Sequence, residues 1–202
     1  EVAQSDPASL AVGDNDLTVV PEYKRAALIG RVFQDPLMGT SAGLTIEENF
    51  ALAALRGKSR GLGPALGQRL RQEIRDRLAL LGMGLENRMK AKVGLLSGGQ
   101  RQAVTLLMAV FRRPQVLLLD EHTAALDPRA SREIMRLTKS LVQDYGLTTL
   151  MVSHNLAHAL DIGQRAIIMN RGRIAADLNA QDLSTLTVKT LMGLFLETQT
   201  DD

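Results

Sequence analysis

Four apolar residues, Val116-Leu117-Leu118-Leu119, run without a break into two acids, Asp120 and Glu121. A strand with no polar alternation has no solvent face and must be covered on both sides. Residues 27–33, 147–152 and 165–170 read the same way, and helical patterns separate them. Buried strands alternating with helices imply an α/β fold, a mainly parallel sheet with helices on both faces. In such sheets ligands bind at the carboxyl ends of the strands. Gln34, Asp120, Glu121, Ser153 and His154 all stand at such ends.

The intervening segments carry recognisable helix signals. Thr45-Ile46-Glu47-Glu48 is a capping-box pattern, with a helix following through residue 55. Leu66, Leu70, Ile74, Leu78 and Leu81 fall on one helical face, and Gly82 and Gly84 end that helix. Residues 101–111 read as an amphipathic helix stopped by Arg112-Arg113-Pro114. Pro128 opens a helix that runs to about residue 145, and Gly146 closes it. A short helix over 156–161, a hairpin-like turn over 170–173 and a last helix over 188–197 complete the pattern. Residues 1–18 are polar and rich in turns, with a short edge strand over 9–12, and residues 21–27 make a helical turn. Residues 56–67 are a Gly/Arg-rich loop.

Composition narrows the function classes. The 202 residues carry a net charge of +2, too small to argue for nucleic acid. No apolar run approaches the roughly 20 residues of a membrane span. With no cysteine there is no disulfide or thiol chemistry, and three scattered histidines make no zinc site. His154 and His158 are four apart but lack a neighbouring Glu and a third ligand, so they are not taken as a metal pair.

Three places could carry chemistry. Ser97-Gly98-Gly99-Gln100, after Leu96, is a Gly-rich turn before a helix. It reads either as a serine-capped loop or as an anion site built from backbone N–H groups and the helix dipole. Asp120 and Glu121 are either two solvated acids or a Mg²⁺ holder beside a carboxylate that polarises water for attack on phosphorus. His154 is either structural or a donor to a phosphate. Asp127, before Pro128, is a good helix N-cap in any case. Gly57-Lys58-Ser59 only imitates the end of a P-loop, because the required earlier glycine position holds Leu52.

Taken in order, these motifs resemble the nucleotide-binding subunit of ATP-binding cassette (ABC) transporters along nearly the whole chain. Val32-Phe33-Gln34-Asp35-Pro36 resembles the Q-loop, and Leu96-Ser97-Gly98-Gly99-Gln100 is identical to the signature motif. Leu117-Leu118-Leu119-Asp120-Glu121 resembles Walker B with its catalytic Glu, Ala124-Ala125-Leu126-Asp127 the D-loop, and His154 the switch histidine. The resemblance implies a P-loop NTPase-type (RecA-like) core formed by residues 1–35 and 107–202, with residues 36–106 inserted as an α-helical signature subdomain. It implies ATP and Mg²⁺ as cofactors. Asp120 would hold Mg²⁺ through water, Glu121 would be the general base, Gln34 would contact Mg²⁺ and water, and His154 would touch the γ-phosphate. Ser97, Gly98, Gly99 and Gln100 would bind ATP held by a second subunit, and Asp127 would act across that interface.

The implied partners are an identical or paired cassette subunit, two membrane permease subunits and, for an importer, a solute-binding protein, with no nucleic acid. The implied location is the cytoplasmic face of the inner membrane, as a peripheral subunit. The compact form favours import, and the wording of residues 120–127 resembles amino-acid uptake cassettes. The resemblance departs from the family at His122, where Pro is more usual, a change expected to be tolerated. It departs further in having no Walker A, so the P-loop strand and helix are expected to be missing and the 202-residue chain alone to bind ATP poorly and be inactive. The missing strand is expected to leave strand edges and apolar surface exposed. Two other readings stay open: a non-transport ABC ATPase of translation or DNA repair, and an interaction module without catalysis.

Overall fold

A computed structural model describes residues 9–58 and 65–200, with side chains to residue 198. The start of the turn-rich stretch 1–18 and the middle of the Gly/Arg-rich loop lie outside the described residues. The chain divides into two compact units, one ending at Met151 and the other beginning at Val152.

The first unit opens with a two-residue antiparallel pair, β1 (Ala11–Val12) and β2 (Asn15–Asp16), and a one-turn helix α1 (Glu22–Arg25). Its sheet has the order β3-β4-β5, formed by Ile29–Val32, Val116–Asp120 and Thr148–Val152. β3 and β4 are parallel, with Gly30 opposite Leu117 and Val32 opposite Leu119. Side chains alternate across a strand, so these four positions share one face. Val32, Leu117 and Leu119 are sealed in the core, and Gly30 is buried as well.

The helices of this unit are α2 (Ile46–Ala54), α3 (Gln68–Ala79), α4 (Gly98–Val110) and α5 (Pro128–Tyr145), with two 3-10 turns before α4. α4 is the hub. It touches β3, α2, α3 and α5, and every residue from Gln102 to Val110 is buried. The expected amphipathic stripe is therefore absent from α4. A helix surrounded on all sides has no face left for water. β3 approaches α4 so closely that a Cβ on Gly30 would meet the Ala109 carbonyl oxygen at 2.7 Å. Phe50 of α2 and Phe111 at the end of α4 stack edge to face with centroids 5.2 Å apart. The apolar face of α3 packs as its spacing predicts: Ile74 and Leu78 are fully buried, with Leu66, Leu70 and Leu81 against the same core.

Two strands differ from the uniform burial that their apolar runs predict. In β4 burial alternates, with Leu117 and Leu119 sealed and Leu118 half-buried. β5 is the edge of the described sheet, and its Leu150 and Val152 are 60% and 55% exposed. Apolar surface at a strand edge is the liability expected for this sequence.

The second unit contains α6 (Leu156–Ile162), an antiparallel hairpin of β6 (Ala166–Asn170) and β7 (Arg173–Leu178), α7 (Ala180–Thr185) and α8 (Val188–Thr200). The hairpin turn at 170–173 follows the sequence. α7 does not, although Asn179 and Asp182 cap it with the same reciprocal pattern that Thr45 and Glu48 give α2. Arg165 clamps Asp177 across the hairpin through two bonds of 2.8 and 2.6 Å. Ile167, Met169 and Ile174 of the hairpin are exposed. Among the described residues no helix is long and apolar enough to cross a membrane.

Candidate active site

Ser97 is the N-cap of α4. Its Oγ accepts the Gln100 N–H at 3.3 Å, and the Gln100 Oε1 accepts the Ser97 N–H at 3.3 Å. Gly98, Gly99 and Gln100 thus form the first helical turn and not a flexible loop, which moves the start of the helix three residues earlier than its apolar pattern suggests. The cap uses two of the backbone donors at this end. Those of Gly98 and Gly99, in the first turn, have no acceptor within the helix, so the anion-binding potential remains on the glycines. The serine cap is therefore present, and it does not exclude an anion site on the glycines.

A groove of about 510 Å³ opens at this end of α4. Ser97, Gly98, Gly99 and Gln100 form one wall, and Ala125, Leu126 and Asp127 form the other. Asp127 caps α5, its Oδ1 accepting the Arg129 and Ala130 N–H groups at 3.0 Å each. The Ala130 N–H, first of its causes, holds the Asp127 carboxyl below the usual aspartate range. Two stretches that are 25 to 30 residues apart in sequence thus meet in one groove.

Asp120 ends β4, on the face that carries Arg31 and Leu118. Arg31 Nη2 donates to Asp120 Oδ2 at 3.3 Å, and the Arg31 guanidinium lies 4.4 Å from the centroid of the Phe33 ring. Both partners of this ion pair are about half exposed, so it is worth no more than about 1 kcal/mol. Gln34 lies two residues beyond β3 and is exposed.

Glu121 follows at once with φ +43°, in the left-handed region. For a residue with a Cβ that conformation costs about 1–2 kcal/mol. Its carbonyl accepts the Ala124 N–H at 2.9 Å, which closes the turn. His122, the departure expected to be tolerated, is buried, as are Gln102 and Thr138. Gln102 Nε2 donates to the His122 carbonyl at 2.6 Å, and His122 Nε2 lies 3.0 Å from Thr138 Oγ1. Gln102 Oε1 is buried without a hydrogen-bond partner, a cost of about 1–3 kcal/mol. Sequence reasoning missed this cluster, which joins residues far apart in the chain.

His154 lies in the second unit, exposed and two residues after β5. Ser153 Oγ accepts the Asn155 N–H at 3.0 Å, and Asn155 caps α6. Asn155 Nδ2 meets His158 Nε2 at 3.3 Å, and burial pushes the His158 pKa down.

Residues 4–124 match the protein family described as "ABC transporter". This chain belongs to the ABC transporter family. It is 40% identical to the tyrosine transport ATP-binding protein of Clostridioides difficile (strain R20291) over 92% of this chain and 74% of that protein. It is 36% identical to the thiamine import ATP-binding protein ThiQ of Escherichia coli (strain UTI89) over 84% of this chain and 68% of that protein. Its fold matches a solved ATP-binding cassette, captured as a dimer in a post-hydrolysis state with ADP and Pi, at TM-score 0.67 and 29% identity. That match covers 82% of this chain and 70% of the other. As an ABC ATPase the chain is an ATP-binding and ATP-hydrolysing transport subunit.

Proposed function

We propose that this ABC transporter subunit hydrolyses ATP at a site shared between two cassette subunits to drive solute import, with Glu121 as the general base. The observation that carries this reading is the groove in which the first turn of α4 faces Ala125, Leu126 and Asp127. The glycine N–H groups and the helix dipole on the α4 side of this groove suit a γ-phosphate presented by a second subunit. Ser97, Gly98, Gly99 and Gln100 bind that phosphate, and Asp127 acts across the interface.

In the first unit Glu121 accepts the proton of the attacking water and Gln34 orients water; in the second, His154 contacts a γ-phosphate. Mg²⁺ is usually held by one or two carboxylates together with phosphate oxygens and water. Asp120, half exposed at a strand end, fits that coordination with Gln34, and its weak pairing to Arg31 is readily exchanged. Among the described residues no group of three His, Cys, Asp or Glu could hold a metal ion. When bound there, Mg²⁺ would neutralise charge on the phosphates.

Residues 36–106 form the signature subdomain in this reading, and the remainder the ATPase core. The relative named for thiamine import supports uptake over export. The partners are a second cassette subunit, two permease subunits and a solute-binding protein, with the subunit held peripherally at the cytoplasmic face of the membrane. Ser97→Arg in the full-length subunit tests the shared site. ATP-driven dimerisation, followed by size-exclusion chromatography, should be lost while each monomer still binds ATP. Normal dimerisation and turnover in that variant would contradict a shared site.

A further inference from the structure

Glu121 holds a backbone conformation that side chains with a Cβ rarely adopt, at φ +43°. Such a conformation persists only where its surroundings over-determine it. The residue that follows it is gripped at two points. Gln102 of α4 donates to the His122 carbonyl at 2.6 Å. On α5, the Thr138 hydroxyl donates its single hydrogen to the Ile134 carbonyl at 2.8 Å. In its 3.0 Å contact with His122 Nε2 that hydroxyl therefore accepts, and the ring nitrogen donates. All three side chains are sealed from solvent, with exposures of 0% for Gln102, 2% for His122 and 1% for Thr138.

We propose that Gln102, His122 and Thr138 form a clamp that holds the Glu121 carboxylate in its working position, so that all three are positioning residues for ATP hydrolysis. The clamp rests on the reading of Glu121 as the base. Its stability cost supports a positional purpose. Gln102 keeps Oε1 buried without a partner, which a leucine of similar size would avoid. The clamp also ties two parts of the shared site together. Gln102 lies on the helix whose first turn is Gly98, Gly99 and Gln100, so a shift of that helix on meeting a second subunit's nucleotide is carried to the chain's own Glu121. The His122 side chain reaches α5, which gives the loop its second point of attachment.

The test is steady-state ATP hydrolysis by the full-length subunit carrying Gln102→Leu, Thr138→Val, Thr138→Ser or Glu121→Gln. Gln102→Leu should lower kcat roughly tenfold or more, with KM for ATP within about twofold of wild type and no fall in Tm. Thr138→Val should lower kcat in the same way, and Thr138→Ser, which keeps the hydroxyl, should restore it. Wild-type kcat in both Gln102→Leu and Thr138→Val, beside an inactive Glu121→Gln, overturns the clamp and leaves the base assignment standing. A fall explained wholly by loss of folded protein, with kcat per folded subunit unchanged, overturns it too. Wild-type kcat in Glu121→Gln overturns the assignment of the base itself.

Discussion

Gly99 in the first turn of α4 lies against Ala130 in the first turn of α5: a Cβ on Gly99 would come within 3.1 Å of the Ala130 Cβ. That approach brings the signature turn and the Asp127 cap to the two walls of one groove. Two effects oppose each other in Gly99→Ala. Helix propensity favours alanine by about 1 kcal/mol, and overpacking costs about 1–3 kcal/mol. The contact is tight and the neighbour is on a helix that cannot yield freely, so the net effect should be destabilising. Urea unfolding of Gly99→Ala, Ala130→Gly and the double variant should give a coupling of at least about 0.5 kcal/mol, with Gly99→Ala better tolerated when Ala130→Gly is also present. Additive effects would mean that the two helices do not meet there.

Thr45 and Glu48 exchange hydrogen bonds at the start of α2. The Thr45 N–H and hydroxyl each donate to Glu48 Oε2 at 2.7 Å, and the Glu48 N–H donates to Thr45 Oγ1 at 3.3 Å. Thr45→Ala should destabilise the first unit by about 1 kcal/mol, and Thr45→Ser by much less. Thermal unfolding of the two variants side by side checks the ordering, and equal losses would argue against the cap.

Asp127 gives a pH signature. The Ala130 N–H, followed by that of Arg129, holds its carboxyl below the ordinary aspartate range. A group with a lowered folded pKa stabilises the fold above its unfolded value and loses that contribution as pH falls through the folded value. Asn caps as well as Asp but does not titrate. The stability advantage of the native chain over Asp127→Asn should therefore be flat from about pH 5 to 8 and shrink below about pH 4. A gap that stays constant into strong acid would show that the charge contributes nothing.

The α/β class, the bounds of α5 and the capping box of α2 are legible in sequence because their signals are local: Asp127-Pro128 and Gly146 bracket α5, and Thr45 meets Glu48 within one turn. The same S-x-x-Q signal stands at Ser97-Gly98-Gly99-Gln100, masked by two glycines that usually mark loops. The strand-end acids are legible for the same reason, since an apolar run has to stop somewhere and Asp120 stops it. What is not legible is set by packing between distant segments. Arg31 meets Asp120 across 89 positions of chain, and Gln102 meets His122 across 20. The all-round burial of α4 depends on four elements closing over it, which its own residue pattern does not encode. The left-handed turn at Glu121 carries no glycine to announce it.

The most direct test of the central claim is ATP turnover and ATP binding measured together on full-length Glu121→Gln. With Glu121 as the general base, turnover should fall by roughly a hundredfold or more while ATP affinity stays within about threefold and ATP accumulates in a stable dimer. Turnover at the native rate, or a loss of turnover that only follows lost ATP binding, would contradict the account.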